Sequence, residues 1–377
     1  MIDLRKALYL EMLHAHEQLP GWRQLTTGVP ASVSEDVRSR WVGRQIARMQ
    51  GLEQGMTGAS TLHLFADLHA WLADSPVTVF VDEFIYPVAR FGIEKLTAKG
   101  IRILSYRHQQ AAHLAVLMNK WAERHTMPVV LTDGWCPQCG RPAPLPEIAV
   151  LLERYGGMGV MDDTQAFGLL GDPGDHAAGS AGRSAGLADP AGVPYGRGGG
   201  GLLRWSSTPP DRMISITSLA KSFGVPMAVI SGSGRFIREF KERSRTIDHC
   251  SPPSIAHLSA AIHALETNRM EGDCRRQRLF ANVLHFKQQL SAAGIRSKGG
   301  LFPVQHLDGL PQEKLLALHR WLEKEGIRTV LTKGHRSPGP QLSLLFRAGL
   351  RDEEIGMVTE KIIRFYSKKH LYYGNDH

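Results

Sequence analysis

A chain of 377 residues, 42% hydrophobic and 21% charged, can bury the cores of one large and one smaller domain. No apolar run is long enough to cross a bilayer, and four cysteines are too few for a disulfide scaffold, so a cytoplasmic protein is expected. The formal net charge of +9 is scattered along the chain and not gathered in an arm, which fits an anionic small molecule or an acidic carrier protein at least as well as nucleic acid.

In chain order, residues 1–34 come first. MIDLRKALYLEMLHAHEQL has a helix-like spacing, and Glu11, His14 and Glu17 interrupt any signal-peptide core. An amphipathic helix or arm is expected there, packed on the body or on a partner chain. Ser34-Glu35-Asp36 is an N-cap signal for a helix running to Met49, and residues 61–73 read as a second helix. Short β-rich runs follow at Val77–Asp82, Ile101–Tyr106, Pro128–Asp133, Gly159–Asp163, Met213–Ser218 and Met227–Ser231. Helical stretches at 86–99, 110–124 and 146–155 separate them. This alternation predicts a large α/β domain over 35–245 with a mostly parallel central sheet. Several runs end in Asp, Ser or Thr, where open α/β sheets place their ligands.

Residues 172–210 are rich in Gly, Ala, Pro and Asp and read as a long loop, either a solvated insertion or a lid. Beyond residue 246, helices at 253–271 and 273–294 precede strand–helix–strand elements and a final helix from Asp352. A smaller C-terminal α+β domain over 246–377 is therefore expected.

Two stretches carry chemistry. Thr217-Ser218-Leu219-Ala220-Lys221-Ser222-Phe223-Gly224 follows a strand, and a lysine in such a turn suits a Schiff-base lysine. Ser218 can reach a phosphate near it. Ser-x-x-Lys also occurs in penicillin-recognising hydrolases, and a lone lysine is commonly a surface residue. In Asp162-Asp163-Thr164-Gln165-Ala166-Phe167-Gly168, the carboxylate at a buried strand end needs a partner. A pyridinium nitrogen would serve; a capped turn or a magnesium ligand are the alternatives.

With their surroundings, these stretches resemble the α-oxoamine synthase family, within the fold-type I group of pyridoxal-5'-phosphate enzymes. The resemblance runs from about residue 25 to the C-terminal helix. It is carried by Gly58-Ala59-Ser60-Thr61, DEFIYPVARFG from Asp82, Arg107-His108, Ala143-Pro144-Leu145-Pro146-Glu147, DDTQAFGLLG, SLAKSFG and Ser251-Pro252-Pro253, in the family's order. It implies a fold-type I transferase with a large, mostly parallel domain and a small C-terminal domain. Lys221 matches the Schiff-base lysine, Asp162 the ring-nitrogen partner, and Ser218, Ser60 and Thr61 the phosphate ligands. Tyr86 falls where the family stacks a His on the ring, and Gln165 where a His meets the phenolic oxygen. His108 matches a motif position that supports the site from behind.

The implied reaction forms a carbanion at the α-carbon of an amino acid and condenses it with an acyl thioester carried by coenzyme A or an acyl carrier protein. An aminotransferase and a non-catalytic pyridoxal-phosphate-binding homologue are the alternatives. A homodimer with shared sites is also implied, with His249 or Ser251 reaching the neighbour's phosphate. Neither nucleic acid nor a membrane is an expected partner.

Gln341-Leu342-Ser343 stands where the family carries Arg-Leu-Arg, whose first arginine binds the substrate carboxylate; Arg336 or Arg347 are the substitutes available. Cys136-Pro137-Gln138-Cys139-Gly140 reads as structural thiols, half a zinc site or a redox pair. Cys250 and Cys274 are isolated and supply no second Cys-x-x-Cys, so no metal site is assigned. His63 and His113 read as packing or surface residues.

Overall fold

The computed structural model describes residues 1–19, 21–22, 24–121, 125–174, 194–307, 310–335 and 339–371. Its centre is a seven-stranded sheet in the spatial order Gln54–Gly58, Ala228–Gly232, Met213–Ser218, Met158–Asp162, Met127–Asp133, Val77–Asp82, Arg102–Tyr106. Ala228–Gly232 runs antiparallel to both neighbours; the other pairings are parallel. Alternate residues feed two separate cores: Val79, Val81, Val129, Leu131 and Val160 join one, Phe80, Val130 and Met161 the other. A parallel sheet covered on both faces needs this continuous apolar content in its strands.

The chain leaves Val77–Asp82 outward to Arg102–Tyr106, then returns past it to Met127–Asp133. That reversal opens a crevice beyond the carboxyl ends of the strands. A second, four-stranded antiparallel sheet is built from Ser297–Lys298, Val304–Leu307, Pro340–Leu345 and Val330–Lys333. The helices Gln312–Lys324 and Asp352–Leu371 accompany it.

The strand runs fall within a residue of expectation, and Asp36 caps the helix Val37–Gln50 as its sequence suggests. Other expectations are corrected. Residues 1–19 hold no α-helix. Ile2–Asp3 pairs in parallel with Ile327–Arg328, and a single 3₁₀ turn spans His16–Gln18. The Leu, Met and Tyr spacing there serves an extended arm whose Leu4, Tyr9, Leu10 and Met12 are buried. The two helices expected after residue 253 are one, Ile255–Ala292, started by Ser254, which accepts from the His257 amide. The helix expected at 86–99 is two, Pro87–Arg90 and Ile93–Ala98, parted at Gly92 with φ 98°. Gln54–Gly58 went unread as a strand because two of its residues are glycine and a third is Gln.

Within the 172–210 stretch, residues 175–193, where a lid or solvated insertion would lie, are outside the described residues. The flanks are ordered: Asp172 bridges Arg197, and Leu202–Trp205 forms a short helix. Gly196 and Gly199 to Gly201 are buried, so the glycine run is not a solvated loop.

Gly43 lies buried inside Val37–Gln50, where alanine would ordinarily favour the helix by about 1 kcal/mol. A Cβ there would meet the Gly55 carbonyl oxygen at 2.4 Å. Gly43→Ala is therefore expected to destabilise the fold by about 1–3 kcal/mol, because backbone cannot swing aside. A chemical-denaturation midpoint at or above that of the parent chain would contradict this close approach.

Candidate active site

Three neighbouring strands bring their ends together: Asp133 is in register with Asp162, and Asp162 with Ile216, two residues before Ser218. Thr164 joins the two chemistry-bearing motifs. Its amide donates to Asp162 Oδ1 at 3.0 Å, and its Oγ1 accepts from the Ser218 amide at 3.0 Å. Ser218 Oγ in turn accepts from the Ala220 amide at 3.2 Å, shaping the turn that presents Lys221. Burial lowers the Lys221 pKa to about 8, while the negative charges of Asp162 and Asp133 oppose a further fall. Among the described residues Lys221 makes neither a hydrogen bond nor a close ion pair. The adjacent hydroxyls of Thr217 and Ser222 are buried without partners.

Burial raises the pKa of Asp162 against the pull of the Thr164 bonds and Lys221. Asp133 has no assigned role in the sequence reading, yet it belongs here. Burial and then the charge of Asp162 push its pKa well up, although the Tyr86 amide donates to both its oxygens, at 3.2 and 3.0 Å. The signal was present: Asp133 ends a strand as Asp162 does. Asp163 is fully buried, and its carboxylate accepts from the Leu202 amide at 3.2 and 3.3 Å.

Ser60 caps Thr61–Ala73, accepting from the His63 amide at 3.4 Å, while its Oγ lies 2.8 Å from His63 Nδ1. Thr61 opens that helix. A cleft of about 370 Å³ lies there, lined by Thr57, Gly58, Ala59 and His63 on one side and Asp248 and Ser251 on the other. Lys221 and Asp162 do not line it, and neither does His249, which is exposed at the end of Arg245–His249. Asp67 holds this second wall, accepting from Ser244 Oγ at 2.5 Å and Thr246 Oγ1 at 2.6 Å. The Tyr86 ring is more than half exposed. Gln165 is not free: its Oε1 accepts from Tyr9 OH at 2.7 Å, a contact from the N-terminal arm that sequence reasoning missed.

Of the arginines considered for a substrate carboxylate, Arg336 lies outside the described residues. Arg347 is already engaged: its Nε donates to Glu11 Oε1 at 3.0 Å and its Nη1 to the Asp3 carbonyl at 2.6 Å. Ser343 is buried between His306 Nδ1 at 2.8 Å and Thr332 Oγ1 at 2.6 Å, and Gln341 Oε1 is buried without a partner.

The fold is of the type I class, shared with a solved serine palmitoyltransferase that carries pyridoxal phosphate as an internal aldimine. Within that class the chain's relatives are α-oxoamine synthases. It is 26% identical to the 8-amino-7-oxononanoate synthase of Hahella chejuensis over 71% of this chain and 61% of that protein. The synthase of Thermosipho melanesiensis is 32% identical over 47% of this chain and 38% of its own length. The chain thus spans less than two thirds of these curated relatives. Its fold matches Sphingomonas wittichii serine palmitoyltransferase with a TM-score of 0.81 at 14% identity, covering 98% of this chain and 88% of that one. It matches Francisella tularensis 8-amino-7-oxononanoate synthase with a TM-score of 0.74 at 17% identity, covering 98% and 99%. No protein-family profile matches the chain.

Two outcomes are expected from this geometry. Only a neutral amine reacts with amine-directed reagents, so in protein freed of carbonyl ligands Lys221 labelling should rise with pH about a midpoint near 8. Asp162→Asn removes a charge that favours the protonated amine, so it should move that midpoint down; a midpoint typical of exposed lysines would contradict the burial. Asp163, whose pKa burial pushes well up, should tolerate Asn far better than Leu. Asp163→Leu strands the buried Leu202 amide and should cost about 1–3 kcal/mol more in denaturation.

Proposed function

We propose that this chain is a pyridoxal-phosphate-dependent transferase that forms a carbanion at the α-carbon of an amino acid and condenses it with an acyl thioester. The observation that carries the reading is Lys221, a half-buried amine that makes no hydrogen bond or close ion pair among the described residues, set at strand ends in the field of Asp162 and Asp133. A buried cationic group is costly without a partner, and a covalently held cofactor removes that cost. The residues fit the group. Lys221 Nζ would hold its aldehyde carbon and Asp162 its ring nitrogen; Ser218 and the helix N-terminus at Ser60 and Thr61 would hold its phosphate. Tyr86 and Gln165 would border its ring.

When bound, the group supplies an electron sink for the charge left on the α-carbon. Asp162, fixed by the Thr164 amide, would favour a proton on the ring nitrogen. Lys221 Nζ, with a pKa near 8, is the group suited to take and return the α-proton near neutral pH. The net charge of +9 favours an anionic acyl donor, coenzyme A or an acyl carrier protein. The reading includes a homodimer in which the exposed Ser251 and His249 segment reaches a neighbour's phosphate site. A cytoplasmic location is part of it; no described helix is long and apolar enough to cross a membrane.

Borohydride reduction and peptide mapping should place a pyridoxyl group on Lys221, and Lys221→Ala should abolish it. Asp162→Ala should cut thioester-dependent turnover by several orders of magnitude while retaining cofactor. A label on another lysine, or a keto acid formed from the amino acid without any thioester, would overturn the proposal. Sedimentation at low micromolar concentration should show a dimer. Mixing Lys221→Ala chains with chains altered at both His249 and Ser251 should restore activity if the sites are shared.

A further inference from the structure

We propose that Cys136, Cys139, His108 and His335 bind one zinc ion, in a closed tetrahedral site that ties the C-terminal region to the crevice of the sheet. His108 Nε2 lies 3.4 Å from Cys139 Sγ, and His335 Nε2 lies 3.0 Å from Cys136 Sγ. The donor atoms of His108, Cys136 and His335 all fall within 4.8 Å of one another. Zinc bonds of about 2.0–2.3 Å make a tetrahedron with edges of roughly 3.3–3.8 Å, so these three donors need to tighten by no more than about 1 Å, and Cys139 Sγ would join them from its place beside His108. All four cysteines are free thiols. Two thiolates with two imidazoles favour zinc, and four protein donors leave no open position, which marks a structural site and not a catalytic one.

The surroundings behave as the outer layer of a metal site. Asp82 Oδ1 lies 2.7 Å from His108 Nδ1, which orients the ring and leaves Nε2 facing the thiols. Asp82 is itself fixed by the amides of Phe84 and Gln109, each at 2.9 Å. Phe84 stacks on His335 with ring centroids 4.4 Å apart and 8° between planes. The turn between the cysteines is closed by the Gly140 amide on the Cys136 carbonyl at 2.9 Å, and the Cys139 amide points at Cys136 Sγ at 3.4 Å. Gly140 has φ 67°, and a Cβ there would sit 2.5 Å from Gly299 Cα, so the turn packs directly on C-terminal backbone. His306 Nε2, 2.9 Å from the Pro137 carbonyl, pins it from the same side. His335 follows the strand Val330–Lys333, whereas His108 and the cysteines follow strands of the central sheet. The ion would therefore clamp the two regions together beside the cofactor site, to which only His108 among its ligands is linked, through its charge on Asp133.

Elemental analysis of the holoprotein, purified under reductant without chelators, should give one zinc per chain. Cobalt(II) in its place should show the intense red d–d absorption of a tetrahedral ion and a thiolate charge-transfer band. Cys136→Ser and His335→Ala should each lower zinc affinity at least tenfold, measured against a chromophoric chelator, while Cys274→Ser and Lys221→Ala leave it unchanged. Thermal unfolding should shift down on chelation in the parent chain. Because the ligand variants can fail to fold, parent protein stripped of metal is titrated with zinc alone. No stoichiometric uptake there, a Cys136–Cys139 disulfide persisting under reductant, an octahedral cobalt spectrum, or full retention of metal in both ligand variants would overturn the site.

Discussion

Asp82, Asp133 and Asp162 close three parallel strands side by side, and Asp163 follows the last of them. Taking a carboxylate out of water costs several kcal/mol unless something is built to receive it. The local architecture consists largely of those receivers. Asp82 faces the His108 ring and two backbone amides. Asp133 takes the Tyr86 amide. Asp162 takes the Thr164 amide and feels the charge of Lys221. Asp163 takes the amide at the start of Leu202–Trp205, and Gly201 has no side chain because a Cβ would lie 1.9 Å from Asp163 Oδ2. Each solution recruits a different segment to the same edge of the sheet, and so the site is assembled.

The same logic places the second wall of the cleft at the Thr61–Ala73 helix. Asp67 is buried on that helix and receives the hydroxyls of Ser244 and Thr246 and the Arg245 amide at 3.1 Å. That bond set fixes where the chain turns before Ser251. One buried carboxylate thus orients a segment some distance from itself. Hydrogen bonds to a charged acceptor are stronger than neutral ones, which suits a junction that has to hold two helices at a set angle.

The central strands were legible because parallel strands buried on both faces leave continuous β-branched runs, as VTVFVD does at Val77–Asp82. Lys221, Asp162 and Ser218 stand out in the sequence because motif and strand end coincide. What escaped reading depends on partners distant in sequence. Cys136 and His335 are 199 residues apart, and no spacing rule links them. Asp133 looked like an ordinary strand end until its register with Asp162 was visible. The glycines at 199 to 201 look like loop composition, yet they are there because Gly168, Asp163 and Arg276 crowd them. The arm misled for the opposite reason: apolar residues at helical spacing also suit an extended segment threaded between other elements, because burial rewards contact and not periodicity.

That arm connects several of the residues that the sequence singles out. Tyr9 donates to Gln165 Oε1. Glu11 holds Arg347, removing it from the set of free cations near the Gln341 strand. The arm's backbone is bound into the same region: the Leu345 amide donates to the Leu4 carbonyl and the Ala348 amide to the Tyr9 carbonyl, at 2.9 and 2.8 Å. A histidine at position 165 would face the Tyr9 hydroxyl without the acceptor amide oxygen that now receives it, and a free Arg347 would leave the half-buried Glu11 without its cation. These residues are therefore coupled through one segment. The arm has thus shaped the surface around the Gln341 strand, where Gln341 Oε1 is left buried without a partner among the described residues.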